Sequence, residues 1–89
     1  MEDRSTVRRD LNRNKHDLAR ARSMYERQSK IVEQLRTMDR DTDDAVRLLE
    51  ALSDNLSSYV AARERLIDRL ARLDAADPLA GDDLEERVQ

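Results

Sequence analysis

From Val7 onward, one series of positions runs along the chain in alternating steps of four and three: Val7, Leu11, Asn14, Leu18, Ala21, Tyr25, Gln28, Val32 and Leu35. An α-helix turns every 3.6 residues, so positions spaced by about 3.5 stay on one stripe, and a series of this kind is the seam of a heptad repeat. The same device returns in Ala45, Leu49, Leu52, Leu56, Tyr59, Arg63, Leu66, Leu70 and Leu73. Two long helices follow. The period breaks over Met38-Asp39-Arg40-Asp41-Thr42-Asp43-Asp44, where Thr42 or Asp41 can cap the second helix and Asp43 and Asp44 suit the positive end of its dipole.

A short connection between two helices forces them antiparallel. The sequence therefore predicts an all-α fold, an antiparallel two-helix hairpin resembling a coiled coil over residues 1–74, with helix 1 over about 5–38, a turn over about 39–42 and helix 2 over about 43–74. At 1.5 Å per residue the rod would be about 45 Å long. Composition agrees: among 89 residues there are one Gly, one Pro and no Phe or Trp, so the turn formers and core fillers of a compact β or α/β domain are missing. Pro78 and Gly81 should stop the second helix, leaving 75–89 as an acidic, partly disordered tail.

Each helix carries more apolar surface than a two-helix seam uses. Met24, Ile31 and Met38 form a second row seven apart on the first helix; Val46, Val60 and Ile67 do so on the second, with Leu48 on its other flank. Together these predict one wide interaction face of about 500 Å², at the upper end for a monomer. Pairing of two hairpins into a four-helix bundle would cover it, and a two-helix core rarely suffices at this length. A homodimer is the expected partner arrangement, with room for a further protein partner that adds a helix.

Polar seam positions point to register. With a turn near residue 40, positions adding to about 81 should face each other. This places Arg63 across from Leu18 and beside Asp17, with which it would pair. Asn14 and Gln28 would form polar layers, which cost coiled coils stability and fix register or partner number.

Two constellations suggest chemistry. Asp39, Asp41 and Asp43 have the spacing of the first ligands of a calcium loop, and Glu50 falls at its twelfth position, but Asp44 stands where a glycine normally makes the bend. On the first helix Arg8, Lys15 and Arg22 recur at sevens, as do Arg13, Arg20 and Arg27, and Arg9 and His16 add to the outward side. This basic stripe could track a phosphate backbone. It is interleaved with Asp10, Asp17 and Glu26, and residues 74–89 carry a net charge of −5 against +3 for residues 1–22 at the same end of the rod. Nucleic acid is therefore the weaker expectation.

With one His, one Gly and no Cys, the chain has no thiolate chemistry, no second His for a metal and no glycine-rich phosphate loop, so neither an enzyme nor a cofactor is expected. No apolar run approaches the ~18 residues of a membrane span, and Met1-Glu2-Asp3-Arg4 leads into no apolar signal core. A cytoplasmic protein is expected.

Arg27-Gln28, Ile31-Val32 and Leu35, then Asp41-Thr42, Ala45, Leu48-Leu49 and Leu52, then Arg63, Arg65-Leu66-Ile67 and Leu70 resemble a group of short, uncharacterised helical-hairpin proteins of alphaproteobacteria. The resemblance spans residues 16–70. In that group the turn often reads Asp-Gly-His followed by Asp or Asn and Thr, whereas Met38-Asp39-Arg40 stands here without the glycine. The resemblance implies a helical hairpin and a bacterial cytoplasmic setting, and no activity.

Overall fold

The computed structural model describes residues 3–76, and they form two helices, α1 (Arg4–Thr37) and α2 (Asp43–Ala76), packed against each other. Among the described residues there is no strand. The radius of gyration is 19.9 Å, against about 12 Å for a compact chain of this length, so the molecule is a rod. Helix α2 runs on through Ala75 and Ala76, two residues past the expected end at about 74; the rest of the acidic tail, with Pro78 and Gly81, lies outside the described residues.

Each end of α1 is closed by an identifiable device. Asp3 has extended backbone, and its carboxylate accepts the Thr6 amide at 2.8 Å, satisfying one of the four amides that a helix start leaves without a partner. At the other end the Asp39 amide donates to the Arg36 carbonyl at 3.0 Å and the Arg40 amide to the Leu35 carbonyl at 2.9 Å. This is a Schellman wrap, which needs a left-handed residue just past the helix. Asp39 supplies it with φ of 57°, although glycine is the usual occupant. Helix α2 then starts under the Asp41 carboxylate, which accepts the Asp43 amide at 3.0 Å, while the Thr42 carbonyl takes the Val46 amide. Of the two capping candidates in the sequence, Asp41 supplies the side chain.

The seam of α1 lies inward along its whole length. Val7, Asn14, Ala21, Gln28 and Val32 are buried, and Leu11, Leu18, Tyr25 and Leu35 are half-buried. Helix α2 has no buried residue at all, although it carries seven leucines. Its seam residues are half-buried with one exception, Arg63, which is exposed.

The polar layers set the alignment of the two helices. Asn14 donates from Nδ2 to the Tyr59 carbonyl at 3.1 Å, and Gln28 from Nε2 to the Ala45 carbonyl at 2.9 Å. Both pairs have residue numbers adding to 73, which differs from the pairing anticipated by folding the chain symmetrically about residue 40. That offset carries Arg63 away from Leu18 and Asp17. Asp17 pairs instead with Arg20 on its own helix at 2.6 Å. The expected Asp17–Arg63 pair is thus corrected: register follows the two amide-to-carbonyl bonds across the seam, not the midpoint of the turn.

Candidate functional site

The predicted interaction-face residues are placed largely in solvent. Met24, Ile31, Met38, Leu48, Val60 and Ile67 are 39–58% exposed, and Val46 is half-buried. They do not form one face. Met24, Arg27, Gln28, Ile31, Leu48 and Leu52 line a single shallow groove of about 160 Å³, so the α1 row and Leu48 share one flank of the hairpin. Val46, Val60 and Ile67 each follow a seam residue by one position, whereas Leu48 precedes one, so they sit on the opposite flank of α2. The single wide face expected from sequence is therefore two narrower ones. A seam position turns its two neighbours in sequence to opposite sides, by about 100° each.

The basic stripe divides in the same way. Arg8, Arg9, Arg13, Lys15, Arg20, Arg22 and Arg27 are all exposed, as is His16. Yet Arg13 and Lys15, like Arg20 and Arg22, are two residues apart, which is about 200° around a helix. One row borders the groove, where Arg27 stands beside Met24 and Ile31. The other, Arg8, Lys15, Arg22 and Arg36, follows the seam residues Val7, Asn14, Ala21 and Leu35, and so shares the opposite flank with Val46, Val60 and Ile67. The expectation of a single phosphate-tracking stripe is corrected accordingly.

That second flank holds a pattern the sequence reading missed. One step beyond its apolar row, Asp43, Glu50 and Glu64 recur on the outer edge of α2, and the series Asp43, Val46, Glu50, Ser53, Ser57, Val60, Glu64 and Ile67 again alternates in steps of three and four. It is a second stripe parallel to the seam. The stripe contains acids, serines and apolar residues but no Lys or Arg, while the stripe of α1 on the same flank supplies four bases against Glu26 and Glu33. Among the described residues no ion pair engages Arg8, Lys15, Arg22, Glu50 or Glu64. The signal was present as a heptad offset by one position, hidden by the leucines of the stronger seam.

Helix α2 begins at Asp43, so Glu50 is two turns inside it, away from the loop that holds Asp39 and Asp41. The Asp41 carboxylate is engaged with the Asp43 amide, and Asp44 pairs with Arg47 at 3.1 Å. Among the described residues no three His, Cys, Asp or Glu side chains gather around a common point that could hold a metal ion, so the calcium-loop spacing does not become a site. An open depression beside the turn, lined by Lys30, Glu33, Gln34, Thr37 and Met38, mixes single charges without convergent polar groups.

No described helix is long and apolar enough to cross a membrane. Set against protein-family models, curated proteins and solved structures, the chain matches none, and its functional reading rests on its own residues.

Proposed function

We propose that this protein is a non-catalytic helical-hairpin module that self-associates, two hairpins forming a four-helix bundle that serves as an interaction or scaffold element in the cytoplasm. The observation that carries this reading is the state of α2. Six of its seven leucines are spaced for a core, yet none of its residues is buried in the single chain, and among the described residues only Val7, Ala21 and Val32 form the buried apolar set. Burying a leucine fully contributes about 1.5–3 kcal/mol, so a second helical layer over α2 has much to gain. The alternative, a nucleic-acid-binding regulator, has less support once its arginines divide between two flanks and Arg20 is engaged by Asp17.

A bundle held by association becomes more stable with concentration, because the folded form is drawn toward the dimer by mass action. The melting temperature should therefore rise between micromolar and hundred-micromolar protein, and a melting temperature independent of concentration would reject the reading. Ile67→Asp places a charge on an apolar row and should dissociate or unfold the bundle, whereas Asp54→Ala, at an exposed site, should change stability by less than about 0.5 kcal/mol.

A further inference from the structure

We propose that the second copy docks on the flank that carries Val60 and Ile67, with the two-fold axis along the rod, so that the base row of α1 in each copy lies on the acid row of α2 in the other. This rests on the self-association reading and adds to it the face, the symmetry and the charged contacts.

Two hairpins meeting flank to flank can be related by a two-fold axis along the rod or across it. An axis along the rod lays α1 of one copy over α2 of the other at the same level and in opposite directions. An axis across the rod lays α1 over α1 and α2 over α2. On this flank the two choices differ sharply in charge. The α1 stripe carries Arg8, Lys15, Arg22 and Arg36 against Glu26 and Glu33, a net of two bases, and the α2 stripe bears Asp43, Glu50 and Glu64 without a base. The axis across the rod sets each stripe on its like, and the axis along the rod sets the net-basic α1 stripe on the acidic α2 stripe.

Level and reach agree with the second arrangement. An axis along the rod keeps each residue at its own height, so contacts between copies follow the same alignment as the seam, where paired numbers add to 73 and the Arg4–Asp74 pair to 78. Lys15 then lies level with Ser58 of the second copy, next to Val60, and Arg22 level with Ala51, next to Glu50; Glu64 is six residues beyond Ser58, on the side toward which the Lys15 side chain leans. The stems of Lys15 and Arg22 cover Val60 and its neighbours while their charged ends reach the acids. This accounts for two features at once: apolar side chains left 39% and 42% exposed at Val60 and Ile67, and flanking charges that pair with nothing in the described chain. The groove flank offers no such match. There Asp10 and Asp17 of α1, which precede the seam residues Leu11 and Leu18, alternate with Arg13, Arg20 and Arg27, so the α1 side is close to neutral where α2 presents Arg65 and Arg72, which precede Leu66 and Leu73.

Charge reversal tests the inference with the full chain. One variant combines Lys15→Glu with Arg22→Glu, and the other combines Glu50→Lys with Glu64→Lys; all four sites are exposed, and helicity by circular dichroism checks that each folds. At low salt each variant alone should dimerise at least about tenfold more weakly than wild type. Their equimolar mixture should restore a one-to-one heterodimer of near wild-type affinity, because both contacts across the axis become complementary again. Undiminished dimerisation of both variants, or folded variants whose mixture does not recover, would overturn the docking mode. If in addition Met24→Asp with Ile31→Asp abolishes dimerisation, the copies meet at the groove flank, so the docking mode fails while self-association stands. A wild-type chain that never dimerises overturns both.

Discussion

Asp39 shows how much a single residue decides in this chain. A non-glycine residue in the left-handed region costs about 1–2 kcal/mol relative to its preferred conformation, and aspartate tolerates it better than most. Its φ of 57° and the two amide bonds around it turn the chain out of α1. Asp39→Gly should raise stability by about 0.5–1 kcal/mol in thermal unfolding, since glycine takes this conformation without steric cost; a loss of stability would mean that the Asp39 side chain contributes more than its backbone strain takes away. At the opposite end of α1, the hydrogen bond donated by the Thr6 backbone amide holds the Asp3 carboxyl below the usual carboxylate range. A lowered folded-state pKa means that the contribution is complete above the ordinary carboxylate pKa and is lost as pH falls through the lowered value. Asp3→Ala should therefore lower the melting temperature at neutral pH and leave it unchanged at a pH below that value, where the wild-type cap is already protonated.

At the scale of the helices, the two seam amides act together. Asn14 and Gln28 are two heptads apart, as are the carbonyls of Ala45 and Tyr59 that they reach, so one alignment satisfies both and a slip of one residue breaks both. The gain in specificity has a cost. Asn14 Oδ1 is buried with no partner among the described residues, and such an orphaned acceptor costs about 1–3 kcal/mol. Replacing Asn14 and Gln28 together by Leu should raise the melting temperature while allowing more than one oligomeric form, visible as multiple species in sedimentation velocity. A single species of unchanged mass would show that the leucine seam alone sets the register. The heptad makes both helices and the seam legible in the sequence, because burial follows periodicity directly. Alignment was not legible, since it depends on backbone carbonyls that every residue possesses and on a turn whose left-handed residue is not a glycine. Exposure of the Met24, Ile31, Val60 and Ile67 rows could be anticipated, but not that they lie on opposite flanks, which requires knowing how the two heptads face each other.

For the whole molecule, the decisive property is an imbalance between its two helices. Helix α1 buries five residues, two of them polar, while the leucine-rich α2 buries none, so the apolar surface laid down in the sequence exceeds what one hairpin can enclose. A rod also encloses less volume per residue than a globule, which limits any core it can build alone. Two such rods side by side become a four-helix bundle, the smallest arrangement in which both helices of each copy gain a second neighbour. Scaffold behaviour would follow from the length of the rod and from the groove flank with Met24, Ile31 and Leu48, which that pairing leaves open. Sedimentation equilibrium of the full chain at micromolar concentration tests the central claim most directly. A mass of twice the 10.4 kDa chain is the expected result, and a 10.4 kDa species that unfolds cooperatively would contradict it by showing that the hairpin closes its own core.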